Sequence, residues 1–184
     1  MTRYVALLRA VNITTRPLKM ERLRALLGEL GLTNVATYIA SGNALFDAAP
    51  LGADEAAEVL EARIEAHLHA ALGFAVDTFL RTAAQMKAIA AHRPFDAAET
   101  EAAFGQMVAF LKQPPDADQT ARLMTYRRAS DDFAVHEREV YWLRRTQQSE
   151  TNFAGATLER ALKMPTTVRS ITTVRKLAEL AGKS

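Results

Sequence analysis

A chain of 184 residues, 49% hydrophobic and 24% charged, has room for one large domain or two small ones, and a formal charge of +2 gives little overall pull on any partner. It contains no cysteine, which excludes a disulfide framework, a thiolate zinc site, an iron–sulfur cluster and a cysteine nucleophile. No apolar run approaches the roughly 18–20 residues that span a bilayer, and MTRYVALLRAVN, interrupted by Arg9, does not read as a signal peptide; the expectation is a soluble cytoplasmic protein with no membrane partner.

In chain order, residues 3–11 (RYVALLRAV) read as a strand that is apolar on both faces. A helix is predicted over 17–30. Pro17 suits its first turn, Met20, Leu23, Leu27 and Leu30 form one apolar stripe, and Gly31 followed by Leu32 makes a left-handed stop. NVATYIA and ALFD then read as two strands joined by Ser41-Gly42-Asn43, a hairpin signal. A second helix over 53–72 places Leu60, Ile64, Leu68 and Ala71 on one face and closes at Gly73, and FAVDTFL (74–80) is the fourth strand. A linking helix over 82–92 follows, with Thr82 and Gln85 at capping-box spacing, and Pro94 marks a break.

The order βαββαβ then recurs. QMVAFL (106–111) is a strand, and residues 116–128 form a helix opened by Asp116 with Gln119 three places on. DFAVHE (132–137) and EVYWLR (139–144) make a hairpin, residues 151–163 a helix, and TTVR (166–169) a short strand. A terminal helix over 172–181 is capped by Thr172 or Thr173. Two such units imply an α+β fold of ferredoxin-like sandwiches with antiparallel sheets, packed as one body. The expected boundaries are residues 1–81 for the first unit, 82–105 for the linking helix and loop, and 106–184 for the second unit with the C-terminal helix. Residues 1–105 carry 10 basic and 12 acidic side chains and residues 106–184 carry 13 and 9, so the second half is the basic one.

In a split βαβ unit the first two strands run parallel with the third between them. The end of strand one, the Ser41-Gly42-Asn43 turn and the start of the first helix therefore share one sheet edge. Arg9, Asn12, Arg16, Lys19, Ser41 and Asn43 would converge there on a small phosphate or carboxylate, beside the unpaired N–H groups of a helix start. The same residues also suit local work: Gly42 and Asn43 as turn formers, Ser41 and Asn12 bonding nearby backbone, and Arg9 pairing with a carboxylate at the rim.

LLRAVN, KMERLRALLGELGLTNVATYIASGNALF and TTVRSITTVRKL together resemble the bacterial family catalogued as domain of unknown function 1697 (DUF1697). The likeness runs over most of the chain and is densest over residues 5–46. It implies two ferredoxin-like units and no established activity. The positions it matches are Arg9, Asn12, Thr37, Tyr38, Ser41, Gly42, Asn43, Thr167, Arg169, Lys176 and Leu177, so Arg169 and Lys176 join the candidate ligand-binding set. The chain departs from the family at Ala10, where glycine is usual, at Thr14 and Thr15, where glycines often stand, and at Ser170, where asparagine is usual. Those glycines would favour an anion-binding nest that threonines form less readily.

Nothing else in the chain reads as chemistry. His67 and His69, two apart on a helix, point to opposite sides and cannot share a metal. His92 closes the linking helix and His136 sits at a hairpin turn. Glu55, Glu58, Glu61 and Glu65 read as a solvated helix face. No nucleophile motif, phosphate-binding loop or dinucleotide fingerprint is present, so no cofactor and no metal are expected and no catalytic residue is assigned. A second reading is a nucleic-acid-binding module using Arg127, Arg128, Arg138, Arg144 and Arg145 with Phe110, Tyr141 and Trp142, although the RNA-recognition fingerprint is absent. A third is an interaction module that self-pairs through an uncovered sheet edge, and monomer and homodimer both remain open.

Overall fold

The computed structural model describes residues 1–12, 17–49, 57–147 and 153–183. The chain divides into two compact units, Met1–Ala88 with Lys176–Ser184, and Ile89–Arg175. Each contains one four-stranded antiparallel sheet.

In the first unit, β1 (Thr2–Leu8), α1 (Met20–Glu29), β2 (Thr33–Thr37), β3 (Asn43–Ala48), α2 (Ala57–Leu72) and β4 (Thr78–Thr82) follow in sequence. The sheet order is β2-β3-β1-β4, which is the split βαβ arrangement. Alternation along β1 sends Tyr4, Ala6 and Leu8 into a cluster with Leu23, Leu26 and Leu27 of α1 and Leu60, Ile64 and Leu68 of α2. Each such leucine contributes about 1.5–3 kcal/mol on burial. Val5 and Leu7, on the opposite face, are also fully buried, in keeping with a strand apolar on both sides.

β1 stops at Leu8, three residues earlier than the apolar run suggests, because Ala10 and Asn12 both turn into the left-handed region at φ 56° and 55°. β2 stops at Thr37 for a related reason, Ile39 having φ 51°. The fourth strand begins at Thr78 rather than Phe74. α1 begins at Met20, with Pro17 ahead of it rather than in its first turn, and Gly31 supplies the left-handed stop at φ 77°. Both N-terminal caps read from spacing are formed. Thr82 and Gln85 exchange backbone-to-side-chain bonds at the head of α3 (Ala83–Ala91), and Asp116 and Gln119 do so at α5 (Ala117–Met124). A short α4 (Ala97–Ala102), capped by Asp96, lies where the sequence reads as a break.

In the second unit, β5 (Gly105–Phe110), α5, β6 (Asp131–His136), β7 (Glu139–Arg144), α6 (Gly155–Leu162) and β8 (Thr167–Ser170) repeat the topology, in the order β6-β7-β5-β8. Its core gathers Leu123 of α5 and Leu158, Ala161 and Leu162 of α6 against Phe133, Val140 and Trp142. Phe153 packs edge-on to Trp142 with ring centroids 5.0 Å apart, and Trp142 Nε1 donates to Asp131 at 2.7 Å.

The final helix, α7 (Ile171–Ala181), starts one residue early and is not capped by Thr172 or Thr173. Ser170 Oγ accepts the Thr173 N–H at 3.2 Å instead. Serine and asparagine are comparable helix caps, so the departure at Ser170 keeps this function.

The acidic face of α2 is a further correction. Glu58 is exposed, but Glu61 is 2% exposed and accepts the Leu80 N–H at 2.7 Å, while Glu65 accepts the Thr78 N–H at the same distance. Glu55 lies outside the described residues. Spacing of four brings both carboxylates over the edge strand β4, where they occupy two outward N–H groups that another chain would otherwise pair with. Glu159 of α6 likewise accepts the Thr166 N–H, just before edge strand β8, at 2.9 Å.

Candidate functional site

The end of β1, the turn after β2 and the approach to α1 meet at one edge of the first sheet. Two backbone bonds begin the closure: the Leu8 N–H donates to Gly42 O at 2.8 Å and the Tyr38 N–H to Asn43 O at 3.0 Å. Gly42 has φ 80°, and a Cβ there would collide with the Val11 side chain and lie 3.1 Å from Leu8 Cβ. Both its dihedral and its close approach therefore demand glycine.

Two asparagines complete the frame. Asn12 donates from Nδ2 to Ala40 O at 2.6 Å, and its Oδ1 accepts the Leu18 N–H at 2.7 Å. One side chain thus ties the loop after β1 both to the turn and to the lead-in of α1. Asn43, fully buried, donates from Nδ2 to Tyr38 O at 3.0 Å and to Ser41 Oγ at 2.9 Å. These bonds satisfy polar groups that would cost about 1–3 kcal/mol each if buried without partners.

The charged members of the expected set differ in their partners. Arg9 pairs with Asp77 at 3.0 Å, with its side chain one-third exposed, and Asp77 is a partner that the sequence does not single out. Lys19 is exposed at the N-cap position of α1 and makes no side-chain cap there. Lys176, in the same unit, pairs with Glu179 at 2.9 Å. That bond, with a smaller contribution from Tyr38, raises the lysine pKa, and Lys176 with Lys183 holds Glu179 down at about 2. Arg16, Thr14 and Thr15 lie outside the described residues. Arg169 belongs to the second unit, where burial lowers its pKa to about 10 and it donates to Thr167 Oγ1 and Val168 O. Of the expected set, Arg9, Asn12, Ser41, Gly42 and Asn43 share the edge of the first sheet, and Lys19 stands one residue beyond the Leu18 that Asn12 holds.

Two further features bear on chemistry. A cleft of about 350 Å³ beside α2 is lined by Glu65, His69 and Asp77 among small apolar side chains. In the second unit the rings of His92 and His136 stack at 4.1 Å, tilted by only 11°, with Tyr141 4.9 Å from His92. The sequence separates the two histidines by 44 positions and carries no signal of this pairing. Among the described residues no group of three or more metal-ligating side chains comes together, and no helix is long and apolar enough to cross a membrane.

The base-stacking version of nucleic-acid binding loses its aromatic residues. Phe110, Tyr141 and Trp142 are all buried, at 0%, 0% and 4% exposure. Arg127 and Arg145 are paired with Asp132, and Arg145 also with Glu99.

No curated protein matches the chain. Among solved structures, a conserved bacterial protein of Streptococcus pneumoniae is similar over 100% of this chain and 99% of its own, with a TM-score of 0.76 and 24% identity, a likeness that speaks for the fold. The family described as "Protein of unknown function (DUF1697)" matches residues 1–141, well over half of the sequence, and the chain belongs to that family.

Proposed function

We propose that the edge formed by residues 9–12 and 41–43 binds a small anionic ligand, a phosphate or carboxylate carried on a metabolite, in a cytoplasmic protein. The observation that carries this reading is the pair of hydrogen bonds made by Asn12, which donates from Nδ2 to Ala40 O and accepts the Leu18 N–H at Oδ1 and so ties the loop after β1, the turn and the lead-in of α1 into one polar rim. Asn12 and Asn43 act as positioning residues within the rim. The charge offered to the ligand belongs to Lys19, which is exposed, and to Arg9, which exchanges Asp77 for the ligand. A rim fixed before binding lowers the ordering cost of binding, which favours recognition of a small, strongly charged group.

A thermal-shift screen against sugar phosphates, nucleotides and phosphorylated cofactors tests the reading. A ligand at a hundred times its Kd adds about 2.7 kcal/mol, or about 5–10 °C in melting temperature at this size. Arg9→Ala and Lys19→Ala remove that rise while keeping the unliganded melting curve near wild type. Absence of any rise across the small phosphates, together with collapse of Asn43→Ala, reduces the turn to a purely structural hairpin.

A further inference from the structure

We propose a second oxyanion site, in the second unit, built on Arg144. This arginine ends β7, and its guanidinium carbon lies 5.3 Å from the ring centroid of Phe104 and 5.5 Å from that of Trp142. Its Nε and Nη2 are shielded from solvent and have no hydrogen-bond partner among the described residues. Those two atoms form one side of the guanidinium plane, the edge whose parallel N–H groups match the two oxygens of a carboxylate or phosphate. The neighbouring arginines are spent otherwise. Arg145 binds Glu99 at 2.8 Å and Asp132 at 3.3 Å, and Arg127 binds Asp132 as well. A second orphaned polar atom, the buried Oγ1 of Thr146, stands two residues along the chain from Arg144.

Buried donors are almost always satisfied in folded proteins, and a shielded guanidinium fork is the costliest kind to leave unpaired. The two rings hold its charge in place, as aromatic faces do for cations. Phe104 is 57% exposed, so its ring can turn aside at little loss of packing and admit an anion to the fork. The ligand class is a small molecule bearing a carboxylate or phosphate, held by two parallel charge-assisted bonds.

Trp142 is the only tryptophan in the chain, so tryptophan emission comes from a ring whose centroid lies 5.5 Å from the Arg144 guanidinium carbon. Inorganic phosphate and acetate are titrated separately into the full-length protein at ionic strength held constant with sodium chloride. A saturable change in Trp142 emission is expected with at least one of them, and the stronger probe identifies the head group. Arg144→Lys keeps the charge but not the fork and weakens binding by about tenfold or more, the equivalent of one lost charge-assisted bond. Arg9→Ala leaves the Trp142 signal unchanged, so this site and the edge of the first unit succeed or fail separately. An emission change that is linear in both probes, or one that Arg144→Lys retains in full, overturns the proposal. If Arg144→Lys does not fold, nitrogen-edited NMR of the wild-type arginine Nε–H groups decides. The Arg144 resonance moves with phosphate or acetate if the site exists and stays fixed with both if it does not.

Discussion

Replacing Gly42 by alanine separates two physical reasons for a glycine that are usually confounded. Gly42 and Gly73 have nearly the same left-handed φ, 80° and 77°. Around Gly73 no heavy atom lies within 4 Å of an added Cβ, whereas at Gly42 the Cβ meets the Val11 side chain head-on and approaches Leu8 Cβ at 3.1 Å. The left-handed dihedral alone costs a non-glycine residue about 1–2 kcal/mol, offset by roughly 0.4–1 kcal/mol from the stiffer unfolded chain. Gly73→Ala is therefore expected to lose about 1 kcal/mol. Gly42→Ala adds the cost of forcing a methyl into packed structure, about 1–3 kcal/mol, for a total of about 2–4 kcal/mol. Both surrounding atoms belong to the core around β1, so the strain has little room to relax. At about 2–4 °C per kcal/mol for a chain of this length, the melting temperatures should fall by about 3 °C for Gly73→Ala and about 9 °C for Gly42→Ala. Calorimetry and urea unfolding measure both. Equal losses would show that dihedral strain explains everything and that the close approach of Val11 to the turn is immaterial.

Ala10, with φ 56°, occupies a left-handed position where glycine has less strain, so Ala10→Gly should raise stability by about 0.5–1 kcal/mol, read as a higher urea midpoint. Glu61→Ala leaves the buried Leu80 N–H without its acceptor and should cost about 2–3 kcal/mol in urea unfolding, whereas Glu58→Ala on the exposed side should change less than about 0.5 kcal/mol. The His92 pKa is lowered from its ordinary 6.5 by burial first, then by His136 and Arg93. The folded state therefore binds protons less readily than the unfolded one, and this contribution is complete above about pH 6.5 and lost as pH falls through the lower folded value. Wild-type unfolding midpoints should drop between pH 7 and pH 5 by more than those of His92→Phe; parallel pH profiles would remove the stacked pair from the balance.

The periodicity of apolar residues was sufficient to place both βαββαβ units and their order, because each sheet and helix buries one face and the burial is written locally as a 2.0 or 3.6 repeat. Capping chemistry was equally local, as Thr82 with Gln85 and Asp116 with Gln119 show. Glycine at 31, 42 and 73 announced its left-handed dihedrals, but Ala10, Asn12 and Ile39 adopt the same region without that sign, and they decide where β1 and β2 stop. The juxtaposition of strand end and turn followed from topology, whereas the partners did not. Asp77 meets Arg9 from 68 positions away, Asn12 reaches Ala40 O across 28, and Glu61 turns from a surface charge into a buried acceptor because β4 happens to pass beneath it. Arg144 carries the same lesson: as part of a basic run it looks like surface charge, and only the packing of Phe104 and Trp142 sets its fork apart. Backbone preferences act over a few residues and leave a trace in composition; side-chain partnership depends on positions brought together by the whole fold, and no short stretch of sequence encodes it.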